Sequence, residues 1–235
     1  IRPAVLVDPV LKIKHLKSMP NLNDPINQPY YCYAVKVYDE SKEGYYTFLT
    51  PEARKVIDRY LNGRKLQGEK LDDETPLFTT LGSRWNTKNQ YLTDENMKEI
   101  LGRIIKGAKI QRKKVGNRYD KSLVYMFRKR FNTILKLNGS VNSNITEKLM
   151  AHKKGLDGTY LQPTLEEYYK EYFKVISDLT IDDNERLRIR NNVLEKEKSE
   201  LEKSNIAIKQ LEKKLSKTEY KLEHVFNSII DAIDR

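Results

Sequence analysis

The spacing of hydrophobic residues changes several times along the chain, and each change marks a different element. Residues 33–38 and 45–50 are rich in tyrosine, valine and phenylalanine, which is typical of strands, and the polar stretch DESKEG between them predicts a β-hairpin. Thr50 followed by Pro51 is a helix-start signal, and the apolar face that follows it ends at Gly63. The sequence therefore predicts a small antiparallel sheet that leads into a helix.

The rest of the compact part has mainly helical patterns. Residues 3–16 are apolar and predict a short helix followed by a turn. Thr93 starts a helix with an apolar stripe, residues 121–137 and 142–152 predict two more helices, and the capping box at residues 164–167 starts another. The expected fold class is therefore mainly α with a small antiparallel β-sheet, an α+β arrangement, plus a long C-terminal helix.

That C-terminal helix is predicted by a seven-residue repeat, which is typical of coiled coils. The repeat runs without a gap through Leu187, Leu194, Leu201, Ile208, Leu215, Leu222 and Ile229. Of the companion positions four residues further on, only Phe226 and Ile233 are apolar. Three arrangements stay open: pairing with a partner chain, packing onto its own domain, or self-association with the register set by asparagines. We expect one domain over residues 1–181 and a coiled-coil helix over residues 182–235.

Composition limits the class of protein. With 235 residues and a hydrophobic content of 38%, the chain has enough apolar side chains for one good core. No apolar run approaches the roughly 18 to 20 residues of a membrane span, and the start lacks a signal-peptide pattern, so we expect a cytoplasmic protein. The single cysteine, Cys32, lies in an apolar run and is predicted to be a core residue. Because the chain begins at Ile1 inside an apolar segment, we expect it to be a fragment of a longer protein.

The net charge of +11 lies entirely in the predicted compact domain. Residues 1–181 contain 32 basic and 21 acidic side chains, whereas residues 182–235 contain 12 of each. Within residues 101–130, eleven basic side chains accompany one acid, Asp120. Such a density attracts a polyanion and favours nucleic-acid binding that depends steeply on salt. The residues expected to contact double-stranded DNA are Arg112, Lys113, Lys114, Arg118, Lys129 and Arg130, and we expect a nucleoid-associated protein.

Three residues between positions 125 and 160 have the chemistry needed to break a phosphodiester bond. Arg128 comes first, His152 follows in an Ala-His pair, and Tyr160 lies eight residues beyond the histidine. Guanidinium donors match phosphate oxygens, and a tyrosine hydroxyl can attack phosphorus when nearby positive charge helps to remove its proton. The chain has no His/Asp/Glu group at metal-binding spacing and no glycine-rich phosphate loop, so no metal or nucleotide cofactor is expected.

The order arginine, histidine, tyrosine resembles the catalytic domain of the tyrosine recombinases, or phage-type integrases, and is most similar to integrases of archaeal mobile elements. The resemblance covers about residues 1–180. It implies DNA recombination and integration through a 3′-phosphotyrosyl intermediate, by a homotetramer on DNA to which the C-terminal helix contributes. The resemblance also leads us to expect that the N-terminal DNA-binding arm of full-length members is not part of this sequence. The catalytic set that the resemblance implies is Arg2, Lys42, Tyr125, Arg128, His152 and Tyr160.

The resemblance implies that Arg2, Arg128 and His152 hold the scissile phosphate. Lys42 on the DESKEG turn is then the general acid for the leaving 5′ oxygen, and Tyr160 is the nucleophile. Two positions depart from the family pattern. Tyr125 stands where the family usually has histidine or lysine, and Ala151 replaces the usual glycine before the histidine.

Each assignment has a rival in the sequence. Lys36 competes with Lys42, the neighbouring Lys129 and Arg130 compete with Arg128, and three tyrosines compete with Tyr160. Those tyrosines follow the capping box at helical spacing, which favours packing roles; they are Tyr168, Tyr169 and Tyr172. Two other function classes stay open: a type IB topoisomerase, which nicks and reseals one duplex, and a non-catalytic DNA-binding or architectural protein.

Overall fold

The computed structural model of the chain describes residues 10–39, 41–79, 91–121, 125–152 and 160–233, and for Arg118 and residues 223–233 it describes the backbone only. The chain is mainly helical, with a small three-stranded antiparallel sheet and a long C-terminal helix. It divides into two compact units, Ile1–Arg186 and Leu187–Arg235. In the part of the chain that is described, no helix combines the length and the apolar character needed to cross a bilayer.

The sheet has the strand order β1-β2-β3, with β1 at Leu16–Met19, β2 at Cys32–Val37 and β3 at Tyr45–Leu49. Both pairings are antiparallel, and Val35 of β2 lies between Leu16 of β1 and Thr47 of β3. The predicted hairpin of β2 and β3 is confirmed.

The strand β1 corrects one prediction from the sequence. A helix was expected over residues 3–16, of which residues 3–9 lie outside the described part. Ile13–His15 form a single turn of 3₁₀ helix, and Leu16 already belongs to the strand. The strand forms there because β2 offers it four paired positions, an interaction that a local hydrophobic pattern does not contain.

The helices are α1 at Pro51–Leu66, α2 at Asp94–Gly107, α3 at Tyr125–Leu137, α4 at Ser143–Leu149, α5 at Leu165–Phe173, α6 at Ile176–Leu179 and α7 at Asp183–Ile233. Three predicted helix starts are confirmed, because the hydroxyls of Thr50, Thr93 and Thr164 each accept a hydrogen bond from the backbone N–H three residues later. Two predicted ends were wrong: α1 continues past Gly63 to Leu66, and α4 ends at Leu149, before His152.

Two strands of two residues each, β4 at Lys114–Val115 and β5 at Arg118–Tyr119, form a hairpin within the basic block. Gly116 lies in its turn with a φ of +60°, a conformation that glycine adopts without steric cost. The sequence analysis did not predict this hairpin, because two residues are too few for an alternating pattern.

The sheet packs on both faces. On one face, Val35 and Val37 join Ile57 of α1 in a buried cluster. On the other face, Phe48 of β3 stacks against Tyr169 and Tyr172 of α5, with ring centroids 5.4 and 5.1 Å apart. These buried aromatic contacts hold α5 against the sheet.

The helix α3 joins the same core, since Phe131 lies 6.5 Å from the ring of Tyr172. Cys32 is fully buried and burial raises the pKa of its thiol to about 12, which confirms that it is a core residue. At the start of α4, the backbone N–H of Asn142 donates to the Glu171 carboxylate of α5 at 2.7 Å. The core thus fixes α3 and α4 relative to each other.

Candidate functional site

Arg128 and His152, separated by 24 residues in sequence, meet where α3 passes the end of α4. The Nη2 atom of Arg128 lies 3.0 Å from Nε2 of His152 and also donates to the carbonyl oxygen of Met150. That carbonyl is one of the oxygens that a helix end leaves without an intrahelical partner. The arginine therefore closes the end of α4 and contacts the imidazole with the same nitrogen.

The position of His152 follows from how α4 ends. The N–H of His152 donates to the carbonyl of Glu147 at 2.8 Å, and the N–H of Ala151 donates to that of Lys148 at 2.9 Å. This is the pair of bonds of a Schellman motif, with Ala151 at the left-handed position and a φ of +57°. The turn reverses the chain so that the His152 ring lies against the side chain of Glu147, with Nδ1 2.7 Å from Oε2.

The two partners of the imidazole assign its tautomer. A carboxylate accepts hydrogen bonds and a guanidinium only donates them. Nδ1 of His152 therefore carries the hydrogen and donates it to Glu147, whereas Nε2 has a free electron pair that accepts from Arg128.

Glu147 and Lys136 belong to the same site, although the sequence analysis did not select them. The Lys136 ammonium forms an ion pair with Oε1 of Glu147, whose side chain is only 15% exposed. Arg128, Lys136, Glu147 and His152 together are called the α3–α4 network below. One signal for Glu147 was present: it lies five residues before His152, the separation that a Schellman motif brings into contact.

The α3–α4 network leaves Arg128 able to bind an anion. Its guanidinium has five N–H donors, and both of its hydrogen bonds use Nη2. Within the described ranges, Nε and Nη1 make no hydrogen bond to the protein. Each of these two nitrogens can donate a single hydrogen bond to an anion oxygen, whereas both two-nitrogen forks of a guanidinium include Nη2, which the protein already occupies.

Of the predicted catalytic set, Arg128 and His152 are the pair that a described hydrogen bond joins. Arg2 lies outside the described residues. Lys42 is exposed in the turn between β2 and β3. Its rival Lys36 forms an ion pair with Asp39 at 2.6 Å. Tyr125 is 59% exposed at the start of α3, and its ring lies 5.2 Å from the ammonium of Lys129.

The tyrosines differ sharply in exposure. Tyr160 is 79% exposed, and residues 153–159, which join it to His152, lie outside the described part. Tyr169 and Tyr172 are 1% exposed, and burial raises the pKa of both hydroxyls. Tyr168 is half-buried and its pKa is also raised by desolvation. The predicted packing role of Tyr169 and Tyr172 is confirmed, because forming a phenolate in that core costs too much.

The basic block centres on the β4–β5 hairpin, where Lys113 and Lys114 are exposed. The guanidinium of Arg112 lies 4.1 Å from the ring centroid of Tyr119. Asp120, the one acid of the block, accepts hydrogen bonds from the backbone N–H groups of Lys113 and Lys121 at 2.9 and 2.7 Å. Its carboxylate thus links the two ends of the hairpin by hydrogen bonds.

Two further members of the predicted DNA-contacting set lie on α3. Lys129 is exposed, and Arg130 donates to the carbonyl oxygen of Asp178 at 3.4 Å. The side chain of Arg118 lies outside the described part.

Comparison of the chain with protein-family models, with curated proteins and with solved structures finds no match.

Proposed function

We propose that this chain is the catalytic part of a site-specific DNA recombinase of the tyrosine recombinase type, which breaks and rejoins DNA through a 3′-phosphotyrosyl intermediate. One observation carries the proposal. Arg128 and His152 were selected from the sequence as members of one phosphate site, and their side chains lie 3.0 Å apart although 24 residues separate them. A shared phosphate site requires the two side chains to lie within reach of one group, and their contact supports the proposal for that reason.

In the proposed reaction, the scissile phosphate binds to Arg2 and accepts a hydrogen bond from one of the free donors of Arg128, Nε or Nη1. The hydroxyl of Tyr160 attacks phosphorus and gives its proton to Nε2 of His152, which exchanges its contact with Nη2 of Arg128 for the reacting groups. The bond between phosphorus and the 5′ oxygen breaks, and Lys42 gives a proton to that oxygen. The imidazolium then donates to a phosphate oxygen, and its charge is stabilised by Glu147.

The reverse reaction uses the 5′ hydroxyl of a partner strand. Because the phosphotyrosyl bond conserves the energy of the phosphodiester, the reaction needs no nucleotide hydrolysis. The exposure of Tyr160 supports its role as nucleophile, since a duplex cannot reach the buried hydroxyls of Tyr169 and Tyr172.

The test is covalent capture of DNA. The protein is incubated with a pool of nicked duplexes of randomised sequence, in which loss of a short fragment prevents religation, and adducts that survive denaturation are measured. We expect adducts with the unmodified chain and none with Tyr160→Phe. Tyr220→Phe is the matched control, because Tyr220 is 69% exposed on α7 and has no proposed role.

The alternatives give different results. Tight binding without any adduct supports a non-catalytic architectural protein. Relaxation of supercoiled plasmid without strand exchange supports a type IB topoisomerase. An adduct that persists in Tyr160→Phe contradicts the assigned nucleophile. Arg128→Ala is expected to abolish cleavage while much of the salt-sensitive binding remains.

A further inference from the structure

The second half of α7 exposes an apolar groove. Ile208, Leu211, Leu215 and Thr218 line it, with Glu212 and Lys214 at its edges. The three aliphatic side chains are 49%, 63% and 60% exposed, respectively. A contiguous strip of this kind marks an interaction surface.

The first half of α7 lacks this double strip. Three residues after each leucine of its repeat stands a polar residue: Arg190, Glu197 and Ser204. From Ile208 onward, the same positions hold Leu211, Thr218, Val225 and Ala232. Two layers separated by alternating steps of three and four residues are the a and d positions of a coiled coil. Residues 208–232 therefore carry both layers of a heptad pattern over about 37 Å of helix, with Thr218 as the one polar member.

The charged residues beside this strip have opposite signs on its two edges. Glu212 and Glu219 follow the d positions on one edge, whereas Lys214 and Lys221 precede the a positions on the other. In a parallel coiled coil, the first edge of one helix faces the second edge of its partner, so carboxylates meet ammonium groups. In an antiparallel pair, like edges meet and the charges repel. A second copy in parallel orientation therefore covers the apolar strip and also pairs the opposite charges along its two edges.

We propose that residues 208–232 form a parallel, in-register coiled coil with the same segment of a second copy of this chain. The identical helix supplies matching a and d layers and places Lys214 of each copy near Glu219 of the other. This inference is independent of the proposed catalytic function, since it uses residues of α7 alone.

The mass of the full chain in solution tests the association. We expect a mass of two or more chains for the unmodified protein. Ile208→Lys, which places a charge in a core layer, is expected to raise the dissociation constant at least about a hundredfold. Ile206→Lys is the matched control, because Ile206 is 58% exposed on the opposite face of the same helix turn. An unmodified chain that is monomeric throughout the micromolar range, or equal losses in both variants, would overturn the proposal.

Cysteine crosslinking tests the orientation. Ile208→Cys and Leu222→Cys are made separately, and each is expected to form an interchain disulfide under mild oxidation, because equal a positions face each other in a parallel pair. Lys213→Cys, on the outer face, is expected not to crosslink. The native Cys32 is fully buried and does not interfere. Leu211→Cys, at a d position, is made as well, because a d position faces an a position in an antiparallel pair. Crosslinks that form only when the Leu211→Cys and Leu222→Cys proteins are mixed would show antiparallel pairing and overturn the proposal.

Discussion

Ala151 has a backbone conformation that glycine adopts more readily. Its φ of +57° places it in the left-handed region, where a β-carbon costs about 1 kcal/mol. We therefore expect Ala151→Gly to raise the free energy of unfolding by about 1 kcal/mol. Urea unfolding measures the change. Ala108→Gly is the control: Ala108 also ends a helix, but its φ is −74°, so glycine there is expected to give no gain. A loss of stability in Ala151→Gly would contradict the strain argument.

The hydrogen bonds of His152 predict its tautomer. Glu147 accepts from Nδ1, so we expect the Nδ1–H form to be the major tautomer of the uncharged ring. Long-range ¹H–¹⁵N spectra distinguish the two ring nitrogens directly. Glu147→Leu removes the acceptor and is expected to shift the population toward the Nε2–H tautomer. The Nε2–H form as the major species of the unmodified protein would contradict the arrangement, whereas Glu202→Leu on α7 should leave the spectrum unchanged.

Two of the four residues of the α3–α4 network could be predicted from the sequence. Arg128 and His152 were predicted because their order relative to Tyr160 resembles a known catalytic pattern. Glu147 and Lys136 were not, because their contact requires the reversal of the chain at Ala151, and the usual signal for that reversal is a glycine. Where alanine takes the left-handed position, the local sequence does not indicate the turn.

At the scale of elements, an ion-pair cluster connects the turn at Ile13–His15 to the loop before Pro76. The carboxylate of Glu74 accepts from the ammonium groups of Lys12 and Lys14 at 2.6 and 2.8 Å. These hydrogen bonds lower the pKa of Glu74 to about 2. Since the folded-state pKa lies below the unfolded-state value, the stabilisation is present above about pH 4.5 and is lost as the pH falls toward 2.

This gives a pH prediction. We expect the difference in unfolding free energy between the unmodified chain and Glu74→Gln to be largest above pH 5 and to vanish near pH 2. Urea unfolding at a series of pH values measures it, and because the cluster is exposed, high salt should reduce the difference. Glu202→Gln, which removes an exposed carboxylate from α7, is the control. A difference that does not change with pH would exclude the ion pairs as its source.

Helix starts and helix ends differ in how well the sequence predicts them. The helix starts were predicted correctly because a capping side chain contacts only the first turn of its helix. The three capping residues are Thr50, Thr93 and Thr164. The end of α1 was not predicted correctly. Arg64 lies in the last turn of this helix, and its buried guanidinium donates to the carbonyl oxygens of Pro76 and Leu77. That stabilisation comes from a distant loop, and no local residue near Gly63 indicates it.

For the whole molecule, charge is distributed unevenly along the chain. The basic excess lies in residues 1–181, and α7 carries nearly equal numbers of both signs. Because counterion release scales with the number of phosphates contacted, the salt dependence of binding counts the cations that touch DNA rather than the total charge. A proposal of DNA binding through the basic block is therefore testable without knowledge of the target sequence.

We expect the triple variant of Lys113, Lys114 and Lys129 to glutamine to reduce the slope of log binding constant against log salt by about 2 to 3. Fluorescence anisotropy with a random duplex measures the slope. The matched control replaces Lys203, Lys209 and Lys217 of α7 by glutamine, which removes the same charge from the electrically balanced helix and should leave the slope unchanged. Equal reductions of the slope in both variants would mean that binding depends on net charge alone. An unchanged slope in the variant of the basic block would show that this block does not contact DNA.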